Sequence, residues 1–522
     1  MKKSYISNFL KIYFWQGLSI LLNMVSMLVV VPTLTSDPTI YGIYMLCMSF
    51  NIFLNYADIG FINAGFKYAA EHFSRGELKN EMSIIGFVSF ILAIFLLIPF
   101  AFFMVCSYNP DLLIGGLTAD NERHIASQLL FIQGIFSFSI ILNKIGVIAY
   151  GIRLENHKIN QIGIIANLTK IAAIFYFFSS SGYNIVGYFL FGKIVEAISF
   201  LIIISLTTKR YNYDLLFIIK SFRFSKPIFE KTKDLAIVTF VGSMLWIVYY
   251  ELDSVIITKF LGAEIFAFFA IGLALTKFIR SFFSIIFGPF NARFNHIAGL
   301  NQLNSLNDYF IKTLKTVFPV LFLFVLCITT FREAIIISWV GNNYNLSVDI
   351  LLFLALAMLL TAIRNLSVTM ATSLVKTRLL LFISLGMAIG YWSFILITIK
   401  YFGVLSFAYS RFLVFVISDL IFLSVLCHLI SINFYKLIFD LFKPIVVPSI
   451  IILISSHLYL SFFSFYLNKS KINVLLVILS VAAMYLISLL TLYFTSREVK
   501  DLISKLAKQL YSTLYKPVLS TN

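Results

Sequence analysis

The chain has 522 residues, 60% of them hydrophobic and only 12% charged, with a mean hydropathy of +0.95. A soluble protein of this length could not bury so much apolar surface, so the composition selects an all-α polytopic membrane protein. The formal net charge of +17 is distributed mainly over alternate short loops, the positive-inside pattern, which argues against nucleic acid as a partner.

Runs of about 20 apolar residues, the length that crosses a bilayer, occur fourteen times. The first six are 9–34, 40–64, 83–107, 125–150, 158–178 and 183–206. Six more follow at 235–261, 263–288, 312–332, 350–374, 379–399 and 403–429, and a final pair at 444–466 and 472–495. The first run is too long for a signal-peptide core and lacks a small-residue cleavage site, so it is expected to be retained. Pro32, Pro99, Pro289 and Pro319 interrupt runs, where a missing backbone donor permits a kink; Pro32 and Pro319 are the candidate hinges, whereas Pro289 reads as an ordinary helix stop. Residues 497–516 read as a basic amphipathic surface helix.

Basic loops alternate. Lys67, Arg75 and Lys79, then Arg153 and Lys158, then Lys209 to Lys233, share one side with both termini. The other side offers only Arg123, Arg332, Lys400, Lys469 and Lys471. Both termini are therefore expected to be cytoplasmic. Cys47, Cys106, Cys327 and Cys427 are scattered through apolar runs and read as packing residues; neither they nor the six histidines have metal-ligand spacing.

The longest polar interval, 207–234, separates two halves that echo each other. Thr39-Ile40-Tyr41-Gly42-Ile43-Tyr44 opens the second run as Glu264-Ile265-Phe266-Ala267-Phe268-Phe269 opens the eighth, 225 positions later. Asn184-Ile185-Val186-Gly187 and Gly403-Val404-Leu405-Ser406 stand 219 apart. Two echoes at nearly one offset predict parallel repeats related by an axis along the membrane normal. The expected division is 1–220 and 221–435 for two six-helix pseudo-symmetric lobes, 436–496 for a C-terminal helix pair, and 497–522 for a basic tail.

Tyr41-Gly42-Ile43-Tyr44, continuing to Tyr56-Ala57-Asp58-Ile59-Gly60-Phe61, resembles the opening of Wzx-type polysaccharide repeat-unit (O-antigen) flippases. Leu252-Asp253-Ser254-Val255-Ile256-Ile257 and Trp339-Val340-Gly341-Asn342-Asn343-Tyr344 extend the resemblance in the expected order over residues 1 to about 430. That family lies within the multidrug/oligosaccharidyl-lipid/polysaccharide exporter (MOP) superfamily. The resemblance implies a MATE-like fold and alternating-access export of an undecaprenyl-pyrophosphate-linked oligosaccharide across a bacterial inner membrane, through a cationic central cavity. The resemblance further implies a place in O-antigen, capsule or exopolysaccharide biosynthesis, with polymerase and chain-length proteins of the pathway as expected partners.

The apolar runs carry their own cations: Lys144, Lys170, Lys193, Lys277, Arg280, Arg364 and Arg411. Each costs about 2.5–3.5 kcal/mol at a helix centre, so each should face a watery cavity or a partner. Arg364, Lys277, Arg280, Lys170, Lys144 and Arg411 are the candidate substrate-binding residues, since fixed cations in a low-dielectric cleft attract pyrophosphate and acidic sugars. Plainer roles stand beside these: Lys144 can snorkel, Arg280 can sit at the cleft mouth, and Lys193 can pair with Glu196 three residues on. Asp253, Asp58 and Glu251 are the candidate coupling or gating residues. They serve either as partners of basic side chains or as sites for the H+ or Na+ that drives the cycle; no other cofactor is implied.

No Gly-rich phosphate loop, metal cluster or nucleophile triad occurs, and the outer loops are short, so an enzyme is not expected. A cation-coupled multidrug exporter of the same superfamily is the alternative transporter, although cationic drugs call for acids rather than seven basic residues. A lipid II-type flippase is the alternative substrate reading, in which the last two helices would hold the lipid tail.

Overall fold

A computed structural model describes residues 2–56, 60–178, 183–300, 303–374, 376–463, 467–501 and 504, and among them every regular element is helical. The chain forms two compact units dividing between Ala274 and Leu275. The first contains α1 (Lys2–Leu34), α2 (Pro38–Asn55), α3 (Phe61–Ser74), α4 (Leu78–Tyr108), α5 (Asp120–Phe136), α6 (Ile140–Gly151) and α7 (His157–Phe177). It continues with α8 (Ile185–Tyr211), α9 (Leu215–Lys220), α10 (Lys226–Tyr250) and α11 (Asp253–Phe260). The helix α12 (Ala263–Gly299) runs across the division. Beyond it lie α13 (Leu303–Thr330), α14 (Arg332–Val340), α15 (Asn345–Leu356), α16 (Thr361–Ser373) and α17 (Thr377–Phe402). Next come α18 (Leu405–Leu429), α19 (Phe434–Phe442), α20 (Val446–Phe463) and α21 (Lys471–Thr495).

Among the described residues, thirteen helical segments are long and apolar enough to cross a membrane, and the protein is a multi-pass membrane protein of all-α class. Helices suit this solvent because each satisfies its own backbone polar groups. Their ends are capped by side chains: Asp37 Oδ1 accepts from the Ile40 amide at 3.0 Å, Asn184 Oδ1 from Gly187 at 2.8 Å, and Asn433 Oδ1 from Lys436 at 2.9 Å.

Several expected spans prove to be broken. The run 40–64 is α2, ending at Asn55, then α3, entered through Gly60 at φ 76°, a left-handed turn that an L side chain rarely adopts. The run 235–261 is α10 and α11 with a turn at Glu251 and Leu252. The run 350–374 is α15 and α16, joined by a turn through residues 357–360. Pro289 does not stop its helix: α12 continues to Gly299, because a proline sacrifices only one backbone donor where the surrounding turns persist. Pro32, Pro99 and Pro319 also lie within helices. Of the expected surface helix 497–516, residues 502, 503 and 505–516 lie outside the described residues.

Both echoes fall at helix starts, Thr39 and Glu264 in the first turns of α2 and α12, Asn184 and Gly403 just before α8 and α18. Gly42 on α2 packs directly on the backbone at the start of α12, where an added Cβ would meet the Ala263 carbonyl oxygen at 1.9 Å. The broken seventh span is held along its length in the first unit. The Phe61 and Phe229 rings stack at 5.9 Å, Thr239 Oγ1 donates to the Gly60 carbonyl at 3.2 Å, and the Gly115 amide donates to the Thr258 carbonyl at 3.0 Å.

In the second unit the C-terminal pair is tied to its neighbours rather than appended. Tyr485 Oη on α21 donates to the Val320 carbonyl of α13 at 3.2 Å, and its ring meets Phe324 edge-on at 5.4 Å. Thr495 Oγ1 donates to the Pro444 carbonyl at 2.8 Å.

Candidate functional site

Four helices of the first unit contribute polar side chains that converge. Lys193 and Glu196 are three residues apart on α8, hence on one face, and their charged atoms are 3.8 Å apart. Lys170 on α7 approaches the same carboxylate from another helix, Nζ to Glu196 Oε1 at 3.1 Å. Lys193 Nζ also donates to Asn51 Oδ1 on α2 at 2.7 Å, and Gln133 Nε2 on α5 donates to that same oxygen at 3.2 Å.

Asn51, Lys170, Lys193 and Glu196 border a cavity of about 340 Å³, with Gln133 buried behind Asn51. Its walls add the amides Asn55, Asn143 and Asn167 and the rings of Phe136 and Phe200 to Lys170, Lys193, Glu196 and Asn51. The charged lining is two lysines and one glutamate, so the chamber carries a positive excess. Amides that donate and accept, rings with apolar faces and fixed cations together suit a hydroxyl-rich molecule bearing negative charge. Two lysines in apolar helices are tolerable because the network answers their charge; an isolated one would be costly.

The expected site residues distribute as follows. Lys170 lines the cavity. Lys144 on α6 donates from Nζ to the carbonyl of Asn55 at 3.1 Å, beside the cavity residues Asn55 and Asn143. Lys277 and Arg280, half-buried one turn apart on α12, belong to the second unit. So do Arg364 on α16 and Arg411, fully buried on α18. Arg364 is held by Asp419, Nε to Oδ1 at 2.8 Å, with the Phe415 ring 4.5 Å from its guanidinium carbon. Asp419, eight residues after Arg411 on α18, is thus engaged by a different arginine. Asp253 and Glu251 are both buried, Glu251 in the turn between α10 and α11 and Asp253 at the first residue of α11. Asp58 lies outside the described residues.

Sequence reading missed Asn51, Asn55 and Asn143 as parts of one chamber, and preferred an ion pair with Glu196 for Lys193 to a place in the site. The available signal was the recurrence of amides within apolar spans, since an amide in a bilayer helix needs a partner. What it could not supply is that four helices aim these groups at one point.

A second polar knot, outside the spans for the most part, fastens the loops of the basic side. Arg153 Nη1 lies 2.7 Å from Glu81 Oε1, Tyr213 Oη donates to the same carboxylate, and the guanidinium is flanked by Phe73 and Tyr211 at 4.5 and 4.3 Å. Nearby, Arg210 grips Glu155 in a fork, Nε to Oε2 at 2.6 Å and Nη2 to Oε1 at 2.9 Å. The Arg210 fork holds the Glu155 carboxyl below its ordinary value, against the opposing effect of burial and aided by the Tyr211 hydroxyl.

No family model and no curated protein matches the sequence. Solved structures do match. The chain is similar to the lipid II flippase MurJ in an inward closed conformation, with 17% identity, 95% of this chain and 100% of that chain covered, and a TM-score of 0.61. It is similar to a multidrug resistance MATE family transporter of the MOP superfamily in its inward-facing conformation, with 13% identity, 81% and 96% covered, and a TM-score of 0.60. A MATE structure in complex with MaL6 gives 14%, 82% and 96%, and 0.56. At these identities the likeness shows the fold: the chain has the architecture shared by the lipid II flippase MurJ and the MATE transporters of the MOP superfamily.

Proposed function

We propose that the protein is a flippase that carries an undecaprenyl-pyrophosphate-linked oligosaccharide repeat unit from the inner to the outer leaflet of a bacterial inner membrane by alternating access. The observation that carries the reading is the positively biased, amide-rich cavity of Lys170, Lys193, Glu196 and Asn51 within a fold shared with a lipid II flippase. A lipid-linked sugar offers a hydroxyl-bearing body and an anionic linkage, and this chamber has complementary groups for both. Arg364, Lys277, Arg280, Arg411 and Lys144 are the further cations on which an anionic headgroup would draw. Asp253, Glu251 and Asp58 are the carboxylates proposed to take the driving H+ or Na+ or to gate the path. The termini face the cytoplasm in this reading, and the pathway's polymerase and chain-length proteins act downstream.

Lipid II or another lipid-linked sugar is the second reading, favoured by the similarity to MurJ along nearly the whole chain. A drug exporter fits less well, since a cationic drug would meet two lysines for each glutamate in this cavity.

Surface polymer in a deletion strain complemented with wild type, Lys170→Ala or Arg364→Ala tests the proposal, with membrane abundance of each variant measured in parallel. Loss of polymer on deletion, restored by wild type and not by Lys170→Ala at equal abundance, is the expected result. Intact polymer and envelope glycolipids, with new sensitivity to cationic dyes, would assign the protein to drug export instead.

A further inference from the structure

We propose that Glu196 is a resident counter-ion occupying the seat of a substrate oxyanion, so that a phosphate or sugar carboxylate binds between Lys170 and Lys193 by displacing it. This rests on the export reading for its biological meaning, but the chemistry stands on geometry. The two carboxylate oxygens of Glu196 are divided between two lysines from two helices, Oε1 at 3.1 Å from Lys170 and Oε2 at 3.8 Å from Lys193. A bridging carboxylate of this kind marks a position that favours an oxyanion.

The three side chains are not equally held. Lys193 is 7% exposed, seated by Asn51 Oδ1 at 2.7 Å and set over the Phe189 ring at 5.3 Å. Lys170 is 22% exposed and Glu196 30%. The carboxylate is therefore the most accessible member, on a flexible stem, while the cation it neutralises is the most fixed. Rotation of Glu196 toward the cavity leaves both ammonium groups in place for an incoming oxyanion.

Displacement rather than simple addition solves an electrostatic problem. Stripping the anion from a buried ammonium is far more costly than exchanging one anion for another. With Glu196 present, Lys193 has a counter-charge both when the cavity is empty and when it is filled, and departure of the ligand is assisted by return of the carboxylate. Asn143 borders the same cavity, and Asn55 and Asn167, whose Nδ2 groups donate to the Asn51 carbonyl at 2.8 Å and to Asn23 Oδ1 at 2.6 Å, keep their side-chain oxygens for hydroxyls.

The test uses the purified full-length protein in nanodiscs, with inorganic pyrophosphate and glucuronate as separate probes and binding followed by calorimetry. Glu196→Gln removes the competing charge with nearly unchanged shape and should tighten probe binding about tenfold, the worth of one charge-assisted contact. Lys170→Gln should weaken it by about the same factor; should Glu196→Gln fail to accumulate, this variant carries the test. Tightening for pyrophosphate alone assigns the seat to the carrier phosphate, and for glucuronate alone to an acidic sugar. Folded Glu196→Gln that binds both probes no better than wild type overturns the proposal, as does a Lys170→Gln variant with undiminished binding. If Glu196→Gln tightens binding but deletion of the gene leaves surface polymer intact, the seat stands and the export reading falls; the converse result separates them the other way.

Discussion

Arg364 and Asp419 show how much a single charged side chain can carry in the second unit. Asp419 is buried, and its carboxylate lies 2.8 Å from Arg364 Nε. Removing the acid alone leaves a largely buried guanidinium without this partner, so Asp419→Leu should destabilise the protein by about 3 kcal/mol. The double variant Arg364→Met with Asp419→Leu should recover most of that loss, read as the unfolding midpoint of detergent-solubilised protein. The loop acid Glu155 is the contrasting case. Its pKa is lowered in the folded protein, so the stability it contributes is present above the unfolded value near about 4.3 and disappears as pH falls through the lower folded value. Thermal unfolding of wild type should therefore lose stability across that acid range, and Glu155→Gln should flatten that part of the profile. At this scale the sequence was informative about which residues matter and silent about whom they meet. Lys170 and Lys193 stood out as cations in apolar runs, but spacing along one helix pairs Lys193 only with Glu196. The bonds of Lys193 to Asn51 and of Lys170 to Glu196 cross 142 and 26 residues of chain, which no helical period records.

Among the elements, the apolar runs located the spans because length and hydropathy are properties of one segment. The breaks within them were not legible, since a turn at Glu251 and Leu252 or through 357–360 is decided by what the segment packs against. Nor was the contact of Gly42, legible in the sequence only as part of an echo, which lies where α2 meets the start of α12. Its environment allows no side chain: the Ala263 carbonyl would lie 1.9 Å from an added Cβ, and backbone cannot swing aside as a side chain can. Gly42→Ala should cost about 1–3 kcal/mol through overpacking, whereas Gly17→Ala, with nothing within 4 Å of its Cβ, should be nearly neutral. Comparing the melting temperatures of the two variants checks this.

For the whole molecule, the positive-inside reading makes a labelling prediction. The four native cysteines are buried, so background reaction with an impermeant maleimide should be small. In intact spheroplasts Asn121→Cys should label and Lys79→Cys should not; after permeabilisation both should. Labelling of Lys79→Cys from outside would invert the topology. The echoes at 39 and 264, and at 184 and 403, were legible as repeated stretches, and each falls at the start of a helix. The packing partner of the seventh span is another matter. The polar loop 207–234 invites a division before α10, yet α10 and α11 pack within the unit that ends at Ala274. Loop composition reports where chain is exposed, not which face of a neighbouring helix awaits it.

That attachment has a consequence for biogenesis. The seat on α3, made by Phe61 and the left-handed Gly60, is filled by Phe229, Ala236 and Thr239 of α10. During synthesis the first six spans enter the membrane before those residues leave the ribosome. At about 5–20 residues per second, the stretch from the end of α8 to the end of α10 takes on the order of a few seconds to emerge. For that interval the nascent first unit holds an open apolar seam beside a glycine turn. Synonymous codons that slow translation between 211 and 250 should lengthen the exposure and lower the yield of membrane-integrated protein without altering a single residue.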